Sequence, residues 1–425
     1  MKHSKHTRSR SQSRNLNSYS NRDISSKSSK TKKALDIISK ILFPIEMMLV
    51  IALIIYATLI EIFPLTYIFI FILLLGILAG VHIRLLSGKK RRIKRKRIIS
   101  ICMSAVMFVV SGFGMSYFGI INNAIGDLTI DGAQQENEAQ VDDISKHPFL
   151  VYLSGDDTLN ASEINESGRS DVNMVVAINP QQKRVLMVST PRDYYVPLYG
   201  DKNKMDKLTH AGSYGIECSM ETLEKLYDIK FNYYAKLNFK SVVDIVDAVG
   251  GVTVNSEYNF SSGHSYTGKM YFFKKGENFL DGDKALAFAR ERKSFKNGDR
   301  QRGIHQQVLI KAVVEKAISP SMLIPSNIEN MLKAISNNTK TNFSEKEIKK
   351  LISYQMSTMS EEWTFDSISV DGKNGNNYTY SYPNQLLYVM IPDTDTVEKA
   401  KLALDAVING EEIVDGTESN VSSSK

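Results

Sequence analysis

Cysteine is nearly missing: 425 residues contain only Cys102 and Cys218. Cys102 falls in a long apolar run, so the polar remainder of the chain holds one thiol and no internal disulfide. That excludes the disulfide framework usual in small secreted modules, and a lone Cys218 reads as a small buried hydrophobe. No GxxxxGK[ST] phosphate loop, GxSxG elbow or HExxH zinc helix occurs, which argues against a P-loop nucleotide site, a serine hydrolase and a zinc peptidase. Seven histidines are scattered without ligand spacing. His210, in KLTHA at 207–211, is the one set among other polar groups, and the reading for it is a structural hydrogen bond. Internal repeats are missing too.

Evenly mixed charge is a further absence. The net charge is +7, but residues 1–40 carry eleven Lys/Arg against two acids, and residues 89–97 carry eight Lys/Arg in nine positions. From 98 onward there are 33 Lys/Arg against 42 Asp/Glu. The basic excess therefore belongs to the N-terminal third, and a nucleic-acid partner is not expected.

Three apolar runs explain the segregation: 41–63, 65–86 and 98–121. Each reaches the ~20 residues needed to cross a bilayer core of ~30 Å. Glu46 interrupts the first run near its end, where the carboxylate is expected to reach the interface; Arg84 is expected to snorkel in the same way. Forty polar residues precede the first run and no small-residue cleavage site follows it, so the run reads as an anchor rather than a signal peptide. The positive-inside rule puts the tail 1–40 and the loop 87–97 in the cytoplasm, and the third run then exports the rest.

Residues 122–147 are polar and acidic and read as a stalk; 148–409 read as one folded domain, and 410–425 as a disordered tail. Strand patterns cover 148–154, 172–179, 184–189, 252–254 and 387–391, with helical spacing over 217–227, 239–249, 281–290, 305–318 and 396–409. Strands alternating with helices predict an α/β class, an αβα sandwich carried on a three-helix transmembrane anchor.

Within this acidic domain one segment is cationic. Residues 290–307, RERKSFKNGDRQRGIHQQ, hold six Lys/Arg, four of them Arg. Guanidinium forks suit phosphate oxygens. Three further polar clusters lie at strand ends: Asp156-Asp157, Arg169-Ser-Asp171, and Thr190-Pro-Arg-Asp193. Ligand sites gather at such ends in open α/β sheets. Carboxylates that can hold Mg²⁺, mixed with arginines that neutralise phosphate charge, are the components of a metal–pyrophosphate site. A turn at Pro191 and a surface ion pair between Arg169 and Asp171 are the plainer readings of single clusters.

RSD at 169–171, TPRD at 190–193, KLTHA at 207–211, FARER at 288–292 and GDRQRGIHQ at 298–306 together resemble the LytR–CpsA–Psr family. The likeness is close over 148–320 and fades toward 395. The three-span anchor is most similar to the streptococcal CpsA-like branch, although that branch's accessory domain is replaced here by residues 122–147, and Thr209 stands where many members have Asn. The resemblance implies an extracytoplasmic phosphotransferase of Gram-positive bacteria. Such an enzyme moves a glycopolymer (teichoic acid, capsule or a related polysaccharide) from an undecaprenyl-pyrophosphate carrier to N-acetylmuramic acid of peptidoglycan.

Matched position by position, it implies pyrophosphate binding by Arg169, Arg192, Arg290, Arg292, Arg302 and Gln306, and Mg²⁺ (or Mn²⁺) on Asp157 and Asp171. Asp193 or Asp299 would take the proton of the attacking hydroxyl, with Arg192 stabilising charge. Membrane lipid and a capsule or wall synthesis complex complete the expected partners. The runs 241–249 and 308–314 are candidate walls of an apolar groove for the lipid. Two other readings of the same residues stay open: a lipid pyrophosphate hydrolase, and a non-enzymatic polyprenyl-phosphate-binding regulator.

Overall fold

The computed structural model describes residues 9–87, 93–126, 141–156, 168–200, 203–296, 298–323 and 325–413. It divides into two compact units, Met1–Gly119 and Ile120–Lys425. The expected acid at Asp157, the disordered tail beyond 413, and much of the basic loop and stalk lie outside the described residues.

In the first unit, helices α1 (Ser9–Leu59), α2 (Leu65–Leu86) and α3 (Ile93–Gly126) form three segments long and apolar enough to cross a membrane, the first over Ser29–Leu59. Their polar residues face one another. Glu46 is buried, accepting from Ser104 Oγ at 2.7 Å and lying 3.2 Å from His82 Nδ1, while His82 Nε2 meets Ser100 Oγ at 2.7 Å. The expectation that Glu46 reaches the interface is thus corrected, because partners on α2 and α3 satisfy its carboxylate inside the bundle. Arg97 of α3 bonds Asp36 of α1 and the carbonyls of Leu85 and Leu86 at the end of α2.

The second unit is built on a mixed six-stranded sheet. Strand β2 (Ser170–Asn179) runs antiparallel to both of its neighbours, β1 (Phe149–Asp156) and β3 (Arg184–Thr190), and the three closely match the strands read from the sequence. β4 (Tyr195–Pro197) and β5 (Met205–Lys207) form a small ribbon ahead of α4 (Leu208–Ala211) and α5 (Ile216–Tyr227). β6 (Tyr233–Leu237) joins β1 in parallel and leads into α6 (Phe239–Ala248). An Asn238–Ser241 capping box starts α6, satisfying N–H groups that a helix start leaves unpaired.

β7 (Val252–Ser256) pairs with β10 (Gly276–Leu280), and β8 (Phe260–Ser262) with β9 (Tyr271–Phe273). Then come α7 (Gly282–Arg290) and α8 (Gly298–Ala317). α9 (Pro325–Asn338), β11 (Thr339–Thr341) and α10 (Glu345–Ser357) lead to β12 (Thr364–Ser369), which closes the sheet in the order β11-β6-β1-β2-β3-β12. The hairpin β13 (Gly372–Thr379) and β14 (Tyr382–Pro392) and the helix α11 (Thr394–Asn409) end the domain.

Alternation along the strands builds the two cores. Val175 and Ala177 of β2 pack with Leu223 and Tyr227 of α5 and with Leu404 and Val407 of α11, whereas Met174 and Val176 turn to the other face, toward Ile310 of α8 and Phe365. Each side chain so buried contributes about 1.5–3 kcal/mol. Helices on both faces make the αβα sandwich. The last part of the expected stalk is built into the domain: Ile144 is buried with Phe149 and Tyr233, and Asp143 pairs with Lys350.

Candidate functional site

The site forms where β1 and β3 end and β2 begins. Ser170 Oγ is hydrogen-bonded among Tyr152 OH, Ser154 Oγ and Asn173, a buried network that fixes the entry of β2 and with it Asp171. Beyond β3 the backbone turns at Pro191, and Thr209 N–H donates to Arg192 O while Met390 N–H donates to Asp193 O. The TPRD segment is thereby held from two sides.

Its side chains form a run of alternating charge. Arg192 Nη1 donates to Asp171 Oδ1 at 2.8 Å, and its Nε lies 3.7 Å from Asp193 and 3.9 Å from Asp299. Arg302 Nη2 reaches Asp299 at 2.7 Å, and Lys207 Nζ reaches Asp193 at 2.8 Å. Burial works against the Arg192 charge, but the three carboxylates outweigh it and hold its pKa above the ordinary arginine value. Arg302 is shifted the other way: burial dominates, Asp299 opposes it, and the like charges of Arg192 and Arg292 add to it. A guanidinium in that position gains from any further anion.

Gln306 lies one turn along α8 from Arg302 and donates to Ala289 O at 3.5 Å. Arg290 ends α7, its guanidinium 3.9 Å over the Phe239 ring and donating to His264 O at 3.0 Å. Arg292 follows in the connection to α8, where Gly298 permits a close approach: a Cβ there would stand 2.2 Å from Arg292 O.

Two cavities meet at these residues. One of about 300 Å³ is lined by Asp156, Asp171, Arg192, Arg290, Arg292, Arg302 and Gln306 together with Leu153, Leu237, Phe239, Val242, Leu286, Leu309 and Ile310. The second, of about 510 Å³, is polar, with Asp193, Lys207, Lys293, Asp299 and Tyr388. Arg192 and Arg292 line both. The two candidate apolar runs divide: Val242, Leu309 and Ile310 face the first cavity, whereas Val246 and Val249 are core.

One expected residue stands apart. Arg169 is exposed, donates to Tyr382 OH at 2.7 Å and lines neither cavity; the C-terminal hairpin holds its side chain. His210 is structural, its Nδ1–H donating to buried Asp206 at 2.6 Å. Arg300 pairs with Asp371, and Lys293 lines the second cavity. Sequence reasoning did not select Lys207, although it opens the KLTHA motif. Tyr388, His264 and Phe239 carry no local signal at all. Among the described residues no group of three or more His, Cys, Asp or Glu stands ready for a metal. Asp156 and Asp171 nevertheless supply oxygen donors to one cavity, and Mg²⁺ commonly takes one or two carboxylates plus substrate phosphate.

Such a site accepts an amphiphile: the arginines suit a polyanionic head, the apolar wall suits a hydrocarbon, and the polar cavity leaves room for a second reactant. Residues 118–396 match the model of the LytR_cpsA_psr family. The polyisoprenyl-teichoic acid–peptidoglycan teichoic acid transferase TagU of Enterococcus faecalis is 34% identical over 262 residues, covering 61% of this chain and 83% of that protein. Its Bacillus subtilis namesake is 32% identical over 259 residues, 60% of this chain and 80% of that one. The crystal structure of TagV from B. subtilis has a TM-score of 0.51 at 30% identity, covering 62% of this chain and 98% of that one. For protein gbs0355 from Streptococcus agalactiae the TM-score is 0.52 at 28% identity, with 63% and 89% covered.

Proposed function

The chain belongs to the LytR–CpsA–Psr family, and from that membership and the two joined cavities we propose that it is a membrane-anchored phosphotransferase. It transfers a glycopolymer such as teichoic acid or capsule from a polyprenyl-pyrophosphate carrier to the muramic acid of peptidoglycan. The observation that carries this reading is the sharing of Arg192 and Arg292 between an apolar-walled cavity and a polar one. The lipid tail takes the first cavity, the acceptor sugar enters the second, and the pyrophosphate lies between them.

Phosphoryl transfer asks mainly for positioning and charge neutralisation. Arg290, held by Phe239 and His264, and Arg302, buried and paired with Asp299, grip the pyrophosphate; Arg192 and Arg292 reach it from the acceptor side. The acceptor hydroxyl oxygen attacks the glycopolymer-bearing phosphorus, its proton passes to Asp193 or Asp299, and the bond to the lipid phosphate breaks. Lipid monophosphate leaves with the electron pair. Mg²⁺, held by Asp171 and the carboxylates at the end of β1, would neutralise further phosphate charge. Arg169 joins this group when Tyr382 releases it.

The basic tail and the loop before α3 support a cytoplasmic N-terminus and an external catalytic domain under the positive-inside rule. Protease added outside intact cells should cleave the catalytic domain and spare an N-terminal epitope; the reverse pattern rejects this topology. For the reaction, full-length protein in detergent is given a lipid-pyrophosphate-linked glycopolymer and peptidoglycan. The expected product is a phosphodiester-linked conjugate, abolished by Arg192→Ala or Arg290→Ala in folded protein. Release of lipid phosphate at an equal rate without acceptor would mean a hydrolase instead.

A further inference from the structure

Away from the arginines, the β8–β9 hairpin turns an unusual pair of side chains outward. Along β9 and its approach the positions alternate: Met270, Phe272 and Lys274 face out, and Tyr271 and Phe273 face in. Met270 is 71% and Phe272 65% exposed. Phe272 stands opposite Ser261 of β8, a side chain too small to cover it. The inward side is fully engaged. Phe273 stacks on Phe260 with ring centroids 4.7 Å apart, and Tyr271 OH donates to Asp283 at 2.9 Å. Asp283 also accepts the N–H of Thr267, which pins the connection between the strands. The apolar pair is thus presented by a packed hairpin.

Three lysines, Lys269, Lys274 and Lys275, are exposed beside it, while Asp283 is occupied by Tyr271 and Thr267 and the exposed Glu277 lies beyond them in β10. Large apolar side chains ringed by ammonium groups match the boundary between headgroups and acyl chains of an anionic bilayer. The strand connection also reaches the site, because His264 lines the apolar-walled cavity and its carbonyl accepts from Arg290. A bilayer is at hand, since three helices long and apolar enough to span one precede this domain. Another exposed surface, on β13–β14, is richer in polar groups: Tyr378, Tyr382 and Tyr388 stand among asparagines, with Leu386 and Ile391 exposed beside them.

We propose that the β8–β9 hairpin is a membrane-docking element that seats Met270 and Phe272 in the bilayer interface. Docked there, the domain takes its lipid substrate into the cavity next to His264 with little passage through water. The docking itself follows from the hairpin's own surface, and the purpose given to it rests on the transferase reading.

The test uses full-length protein in vesicles containing phosphatidylglycerol, with Trp363→Phe removing the native indole. Tryptophan is then placed singly by Met270→Trp, Phe272→Trp or, as a control, Tyr378→Trp. Lipids brominated along the acyl chain should cut emission about twofold at 270 and 272 and leave 378 unchanged. Equal quenching at all three positions, or none at 270 and 272, overturns the proposal. So does protection of a tryptophan at 272 from iodide by soluble peptidoglycan fragments without vesicles, which would make this a glycan surface. In activity, Met270→Ser/Phe272→Ser should lower transfer from a long-chain donor in vesicles about tenfold and leave a short-chain donor in detergent unaffected. An equal loss with both donors overturns the role in substrate entry. If the wild-type protein transfers from neither donor, the transferase reading fails while the quenching result still decides the docking.

Discussion

Arg192 and Asp171, 21 positions apart on neighbouring strand ends, are joined by a hydrogen bond of 2.8 Å. The same guanidinium faces Asp193 and Asp299, so one side chain balances three carboxylates. Lysine keeps the charge but has no planar fork with which to reach Asp171 while facing Asp299. Arg192→Lys is therefore expected to lose about 10²-fold or more in transfer rate. Arg192→Ala should in addition lower stability by about 1–2 kcal/mol, because Asp171 is left half-buried without its partner. Steady-state transfer and thermal unfolding of the same preparations check both statements.

Gly298 offers a test that removes no charge. A methyl group there would meet the Arg292 carbonyl at 2.2 Å, forcing the connection between α7 and α8 to shift and Arg292 to move with it. Gly298→Ala should cut transfer at least tenfold by raising KM for the donor, on the premise that a shift of ~1 Å at a positioned group costs up to ~10²-fold. An unchanged KM would show that Arg292 does not set donor affinity.

His305 predicts an acid-sensitive domain. Burial between Phe288, 4.3 Å away, and Phe260 pushes its pKa down to about 4, against the opposing hydrogen bond to Phe288 O. Between that value and ~6.5 the unfolded chain binds the extra proton, so stability is full at neutral pH and falls as pH drops through this window, by up to ~3 kcal/mol. Denaturant unfolding of wild type and His305→Phe from pH 7 to 4 should show this slope in the first and a flatter one in the second.

These residues also mark what the sequence could and could not disclose. Arg290, Arg292 and Arg302 were legible because each falls in an ordered motif on a helix end, where local spacing fixes direction. Met174 and Val175 disclosed the sheet because β2 is a short continuous apolar run, as expected of a strand covered on both faces. By contrast β6 and β12 carry mixed patterns, and α10, although it has an apolar stripe at Ile348, Leu351 and Ile352 and starts on the Ser344–Glu347 capping box, buries no side chain fully. Tyr388 and Tyr382 enter the site region through a hairpin nearly 200 residues from Arg192, and a distance in sequence of that size leaves no local trace. The position of Arg169 outside both cavities is likewise set by a partner, Tyr382, 213 residues away.

Asp206 ties that hairpin down. Fully buried, it accepts from His210 Nδ1, Lys207 N–H, Ser381 N–H and Ser381 Oγ. Burial opposes its charge, but the His210 and Ser381 hydrogen bonds outweigh it and hold its pKa below the ordinary carboxylate value. Its stabilisation is thus present at neutral pH and is lost only as pH falls below ~3.8. Asp206→Ala should cost about 3 kcal/mol, and by freeing Ser381 and Tyr382 it should raise hydrogen exchange across 372–392. Exchange that rises elsewhere but not in this hairpin would reject the assignment.

The closing strand, β12, pairs in parallel with β3, joining residues about 180 positions apart. On the topology proposed above, the domain leaves the membrane in chain order, so Arg192 emerges early and the strand covering the edge of β3 among the last. Until Thr364–Ser369 has crossed, that edge is an open template for a neighbouring chain. The protein's most exposed moment is therefore late in its export, and C-terminal truncation before β12 should produce aggregation-prone chains rather than partly active ones.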